Sequence, residues 1–271
     1  MIALNRLQTF IKQHALFQEK ECVLLAVSGG RDSVLMARLF KLAGFNFGIA
    51  HCNFQLRDEE ADQDEQFTSK LASELGVKFF VTRFETTEYA KENHISIQMA
   101  ARDLRYQWLE TIRKEFGYHY IGLAHHQNDV IETMLLNLTR GTGIAGLHGI
   151  LAKKDKLIRP LLFLRRDEID QMPPFYYRED SSNVSVKYAR NKIRLEVIPV
   201  LKELNPSLEQ TFEANRKRFA ELEILLEQRV NELREQLFKK LDDHEFEIDL
   251  KSLKNLIPLN TLLYGLFHPF G

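Results

Sequence analysis

The sequence predicts an α/β fold, a doubly wound parallel sheet followed by a smaller helical domain, and three observations carry that prediction. Short apolar runs alternate with amphipathic stretches through the first half of the 271 residues. Glycine, which tight strand-to-helix turns need, is confined almost wholly to that half: eleven of the 13 glycines precede residue 150, and none falls within 150–264. Beyond residue 205, apolar residues recur at spacings of three, four and seven, as one helical stripe requires. The expected domains are therefore 1–205 and 206–271.

Residues 4–17 read as an amphipathic helix. CVLLAV (22–27), ended by SGG, has the continuity of a strand buried on both faces. DSVLMARLFKLAG (32–44) is a helix closed by Gly44, and FGIAH (47–51) a second strand. RDEEADQDEQFTSKLASELG (57–76) loads acids into its first turns, where each favours the helix dipole by about 0.3–1 kcal/mol. KFFVTRF (78–84) is a third strand, and SIQMAARDLRYQWLETIRKEFG (96–117) a helix with a Ser N-cap. YHYIGLAH (118–125) is a fourth strand, followed by a helix over 127–140. Asn205-Pro206-Ser207 then caps the long stripe of Leu208, Phe212, Phe219, Leu222, Leu226, Leu233, Leu237 and Leu241. That stripe predicts a helical appendage packed on the first domain, with a coiled-coil homodimer as the alternative.

Thirty-seven Lys+Arg against 38 Asp+Glu exclude a uniformly cationic nucleic-acid coat but leave room for a local basic face. Residues 153–194 supply one: eleven Lys/Arg against six acids, interleaved with Tyr176, Tyr177 and Tyr188, a pattern suited to following an RNA backbone. No apolar run reaches the roughly eighteen residues of a membrane span, and the first residues lack a signal peptide's apolar core, so a cytoplasmic protein is expected. Cys22 and Cys52 stand alone, without a CxxC pair.

The sharpest local signal is AVSGGRDSVL (26–35), a strand running through Ser28, Gly29, Gly30, Arg31, Asp32 and Ser33 into a helix. Adjacent glycines let the backbone turn with its N–H groups exposed, and the helix N-terminus adds positive potential, so the turn suits phosphate. Asp32 inside such a nest calls for a bridging cation, which suggests Mg²⁺. Gly141-Thr142-Gly143-Ile144-Ala145-Gly146 matches GxGxxG, but it follows a helix instead of a strand. It reads as a loop closing over a substrate. In AHHQNDVIET (124–133), Asp129 and Glu132 are i,i+3 neighbours, with His125 and His126 at the preceding strand end. A metal site from His125, Asp129 and Glu132 and a simple capped first turn both remain open. Arg102 and Arg105, also at i,i+3, and REDSSNVSVKYARNKIR (178–194) add further cations.

With these elements in order, the chain resembles the tRNA(Ile)-lysidine synthetase family of PP-loop ATP pyrophosphatases across residues 20–205. The resemblance rests on SGGRDS, HCNFQLRDEEADQDE (51–65), SIQMAARDLRY, LAHHQNDVIETMLLNLTRGTGIAGLHGI, IRPLL (158–162) and REDSSN…ARNKIR. It implies an adenine nucleotide alpha hydrolase-like (HUP/PP-loop) fold, ATP and Mg²⁺ as cofactors, and a tRNA(Ile) with a CAU anticodon and L-lysine as partners. It implies two steps: cytidine O2 attacks the α-phosphate of ATP and releases pyrophosphate, then the lysine ε-amine attacks C2 and expels AMP. On this reading Ser28, Gly29, Gly30, Arg31, Asp32 and Ser33 hold ATP, with Asp32 on the metal, and Asp129 and Glu132 meet the lysine ammonium. Arg102, Arg105 and Arg190 offset charge on the α-phosphate, and His125 orients a phosphate or takes the amine proton. Arg102, Arg178, Arg190, Asn191 and Arg194 contact substrate or tRNA. The segment 167–178 is shorter than the family's usual helix and loop, and many members continue past the equivalent of HPFG into a tRNA-holding domain. Residues 206–271 are thus expected to be a helical domain ending short of it. The rivals are a tRNA thiolation enzyme of the same superfamily and a non-catalytic ATP-binding module.

Overall fold

Val23, Leu24 and Leu25 have no exposed surface, the fate of an unbroken apolar run in a strand covered on both faces. The computed structural model describes residues 2–56, 58–179, 189–242 and 245–270. Its first half runs α1 (Ile2–Gln13), β1 (Val23–Ala26), α2 (Arg31–Ala43), β2 (Phe47–Asn53), α3 (Asp58–Leu75), β3 (Phe79–Arg83), α4 (Thr86–Glu92), α5 (Ile97–Glu115), β4 (Tyr120–Gly122) and α6 (Gln127–Arg140). Next come α7 (Ile144–Leu147), β5 (Lys153–Lys154), β6 (Leu157–Ile158), α8 (Arg166–Asp170), α9 (Ala189–Lys192), a π-helical turn (Ile193–Val197) and α10 (Ile198–Leu204). The chain closes with α11 (Leu208–Leu237), β7 (Phe238–Lys240), β8 (Phe246–Ile248), α12 (Leu250–Lys254) and α13 (Leu259–Phe267).

The sheet order is β3-β2-β1-β4-β6-β5. All pairings are parallel except β5 with β6. This is the expected doubly wound sheet, and the strand order reverses between β1 and β4, where such sheets open a ligand crevice at their carboxyl ends. Ser96 caps α5 by accepting the Met99 N–H at 3.2 Å, and Gly44 ends α2 with a left-handed φ of 73°. One face of the sheet gathers Leu24, Ala50, Leu109, Tyr118, Ile121 and Leu123. Elsewhere Phe17 stacks on Phe40 and both meet Phe45 edge-on, with ring centroids 5.0–5.7 Å apart.

Two compact units emerge: Met1–Leu136 with Ile150–Glu209, and Asn137–Gly149 with Gln210–Gly271. The second has its own core of Val230, Leu233, Leu253, Leu262 and Leu266. The expected stripe on α11 holds at Leu208, Phe212, Phe219, Leu226, Leu233 and Leu237, all buried or half-buried, and is corrected at Leu222 and Leu241. The helix stops at Leu237, Val230 is buried, and Leu222 (47% exposed) and Leu241 (55%) face outward. Among the described residues no helix is long and apolar enough to cross a membrane.

Candidate active site at the carboxyl edge of the sheet

The turn after β1 is built as its residues require. Gly29 sits at φ +95°, and a Cβ there would lie 3.4 Å from Phe67 Cδ1, so only glycine fits without strain. Ser33 Oγ accepts the Ser28 N–H at 3.2 Å and donates to the Gly30 carbonyl at 2.8 Å, bracing the turn from inside. Gly30 N–H donates to Ser28 Oγ. The first backbone bond of α2 runs from Val34 N–H to the Gly30 carbonyl, which leaves the N–H groups of residues 31–33 without intrahelical acceptors. The turn is thus a donor nest at a helix N-terminus.

Asp32 stands at the mouth of this nest. Its Oδ1 is buried with no hydrogen-bond partner, and its Oδ2 lies 3.7 Å from His126 Nε2 and 3.6 Å from an Arg166 nitrogen. Burial outweighs the His126 and Arg166 charges and pushes the Asp32 carboxyl above the usual carboxylate range. An orphaned carboxylate oxygen of this kind fits a hard cation completed by phosphate oxygens and water, the habit of Mg²⁺. Among the described residues no group of three or more His, Cys, Asp or Glu is gathered for a metal, so the alternative site from His125, Asp129 and Glu132 does not form.

At the end of β4, Asp129 Oδ2 accepts the His126 N–H at 2.9 Å and Oδ1 accepts from Arg190 at 3.0 Å. Although burial opposes it, His126, His125 and Arg190 hold the Asp129 carboxyl below its usual range. Glu132 has no exposed surface and accepts from Arg190 Nε (2.7 Å), Arg194 Nε (2.6 Å) and a second Arg194 nitrogen (3.0 Å). The π-helical turn follows α9 and brings both guanidiniums onto the same carboxylate pair. An ammonium at Glu132, as the resemblance implies, would have to share oxygens that two arginines already occupy. His125, which burial lowers to about pKa 4, is neutral at neutral pH and leaves Nδ1 buried without a partner. Beside this group a cavity of about 490 Å³ is lined by His126, Asn128, Arg166, Asp170, Arg194 and Lys202, roomy enough for a small substrate.

Other expected residues are placed differently. Arg31 donates to Asp170 at 2.9 Å and to the carbonyls of Ile169 and Asp170, and lies over the Tyr177 ring, so it ties the turn to α8. Arg178 donates to Asp64 (3.0 Å) and Gln63 (2.7 Å), and its N–H bonds the Gly29 carbonyl. It acts as a strut under the turn. Arg190 and Arg194 spend their charge on Glu132, and Asn191, half-buried on α9, is not free. Arg102 and Arg105 are exposed on α5, over Tyr106 and Phe54 respectively. Part of the basic stretch is paired: Arg165 with Asp167 and Arg166 with Asp170, whereas Lys153 donates only to the neutral Ala15 carbonyl and Tyr120 hydroxyl. Lys187, Tyr188 and the DSSN segment (180–183) lie outside the described residues. The GxGxxG segment is a short helical turn held by Asn137 Nδ2 on the Gly146 carbonyl and by His148 on Glu223 at 2.9 Å. His126 and Arg166 are the site residues that motif reading passed over. His126 was visible as the second imidazole of AHHQND, whereas nothing in the sequence marked Arg166 as facing Asp32.

The family model described as a PP-loop domain matches residues 2–201. A tRNA(Ile)-lysidine synthase of Porphyromonas gingivalis is 40% identical over 272 residues, covering 98% of this chain and 59% of that protein. One of Petrotoga mobilis is 37% identical over 210 residues, covering 75% of this chain and 67% of that protein. The chain spans about half to three fifths of the length of the first curated relatives it matches. In fold it is similar to a U34-tRNA thiolase, NcsA, of Methanococcus maripaludis, with a TM-score of 0.64 at 18% identity over 80% of this chain and 78% of that one. A braced glycine turn at the switch point, an acid at its mouth and two arginine-held carboxylates one strand away thus accompany close relatives over most of the chain, which belongs to the PP-loop domain family and, within it, to the tRNA(Ile)-lysidine synthase family.

Proposed function

We propose that the chain carries the catalytic part of an ATP-dependent ligase that adenylates the wobble cytidine of a CAU-anticodon tRNA(Ile) and joins lysine to it. The observation that carries this reading is the donor nest of residues 28–33 with the unpartnered Asp32 oxygen at its rim. A nest at a helix N-terminus suits the two outer phosphates leaving together as pyrophosphate, since its N–H groups need no reorganisation as charge builds. When bound, Mg²⁺ would neutralise phosphate charge against Asp32. Neutral His125 is poised to donate to a phosphate oxygen or to take a proton from the attacking amine. The Asp129–Glu132–Arg190–Arg194 group fixes the edge against which the reactants lie, and the adjoining cavity gives the amino acid room.

The thiolation reading finds little support. The chain supplies only two cysteines, and burial pushes the thiol of Cys52 up to about 12 and raises that of Cys22. The deciding experiment incubates the protein with ATP, Mg²⁺, radiolabelled lysine and a CAU-anticodon tRNA(Ile) transcript. Label in RNA with AMP and pyrophosphate as products is expected; ADP and orthophosphate would overturn the reading. Asp32→Ala should remove pyrophosphate release by at least about 100-fold, the usual scale for losing one preorganised charge contact.

A further inference from the structure

The carboxyl edge of β6 holds a cation that the site above does not use. Arg159 directly follows β6, is 8% exposed, and forms no ion pair with a carboxylate among the described residues. Its terminal nitrogen donates to the Leu151 carbonyl at 2.8 Å, while its Nε–H is buried without an acceptor. The contrast within the same stretch is sharp. Arg165, Arg166, Arg178, Arg190 and Arg194 each pair with an Asp or Glu. A buried charge left uncompensated is costly, so its presence calls for an anion supplied from elsewhere.

The surroundings agree. β4 and β6 are adjacent and parallel, with Gly122 opposite Ile158, which brings His125 and Arg159 to neighbouring strand ends. His125 Nδ1 is also buried and unpartnered. Arg102, exposed on α5, lies near enough to repel Arg159, whose guanidinium burial already pushes down, with Tyr106 acting in the opposite sense. Two guanidiniums and an imidazole therefore converge here; Asp129 faces the imidazole, but its oxygens are already held by the His126 N–H and Arg190, and no carboxylate among the described residues pairs with Arg159.

We propose that Arg159, with Arg102 and His125, forms an oxyanion subsite for a phosphate ester, distinct from the glycine turn. Arginine forks suit the several oxygens of phosphate. The order β1-β4-β6 sets the subsite about 10 Å from the turn at the usual strand spacing, within reach of the next phosphate of the same substrate assembly. The phosphate comes either from ATP, as its α-phosphate, or from the RNA backbone. The proposal rests on reading this edge as a nucleotide site, and its test is kept apart from lysine transfer.

The test titrates the full chain with Mg·ATP alone, and separately with a fluorescein-labelled CAU anticodon stem–loop RNA alone, comparing wild type with Arg159→Met. At least tenfold weaker binding in one arm is expected, with a melting temperature not below that of wild type. Loss with ATP assigns the α-phosphate. Loss with RNA, accompanied by a salt slope shallower by roughly 0.7, assigns the backbone. If Arg159→Met melts early, Arg102→Gln at its exposed position decides the matter: weaker binding of either ligand supports the subsite, and unchanged binding of both overturns it. Wild-type binding of both ligands by a stable Arg159→Met overturns it outright. No lysine is present, so failure of lysine transfer leaves this result standing, and failure here leaves the transfer assay standing.

Discussion

Glu132→Gln isolates the one carboxylate that holds two arginines together. Glu132 has no exposed surface and takes three charge-assisted bonds of 2.6–3.0 Å from Arg190 and Arg194. Removing one partner of a fully buried ion pair costs about 3–5 kcal/mol, because the other is left uncompensated. Here the arginine side chains are 39% and 35% exposed and Asp129 remains within 3.0 Å of Arg190, so part of the loss is recovered in water and on Asp129. A destabilisation of about 2–3 kcal/mol is expected, read as a lower urea midpoint at unchanged slope by far-UV circular dichroism. Paired with Arg194→Gln, the double-mutant cycle should show coupling above about 1 kcal/mol. In the ligase assay, adenylation and lysine transfer should fall together. A loss below about 0.5 kcal/mol, an additive cycle, or a raised lysine KM with stability intact would refute the positioning role and restore Glu132 as a direct ammonium ligand.

Two further outcomes follow from the same edge. The His125 imidazole has an ordinary pKa of 6.5 and falls to about 4 in the folded chain, so the unfolded chain takes its proton first. Its contribution is complete above about pH 6.5 and drains as pH falls toward 4, by about 3 kcal/mol at 1.36 kcal/mol per unit; stability measured from pH 7 to 4.5 should fall less steeply in His125→Asn. Gly29→Ala places a Cβ at φ +95° and 3.4 Å from Phe67, which should cost about 1–2 kcal/mol and weaken ATP binding at least tenfold by calorimetry. Unchanged affinity would show that the turn does not hold the nucleotide.

The centre of the fold was legible because its strands are unbroken apolar runs and its helices end on glycines. β1 to β4 lie within a few residues of CVLLAV, FGIAH, KFFVTRF and YHYIGLAH. The hidden elements are those whose burial is sparse. α4 buries only Thr86 and Ala90, too few positions to set a period, and β5 and β6 are two residues each inside the charged string KKDKLI. At the site, the glycine turn and Asp32 were visible because strand, turn and helix are contiguous. What contiguity cannot show is which charges neutralise each other across long separations: Arg178 with Asp64 and Arg31 with Asp170 are more than a hundred residues apart. Within the basic stretch, Arg165, Arg166, Arg178, Arg190 and Arg194 are engaged in internal ion pairs that spacing alone does not reveal.

The border strands of the sheet have a consequence for solubility. A sheet ends where a strand has open backbone groups on one side, and a long apolar border invites a strand from another molecule. On one side that border is β5, only Lys153 and Lys154, turned back antiparallel on β6. On the other it is β3, where Val81 is exposed but Arg83 is held by Asp62 and Glu65. Bringing two such borders together would bury ammonium and guanidinium groups beside a few short hydrogen bonds, so ribbon growth from this six-stranded sheet is opposed at its own margins.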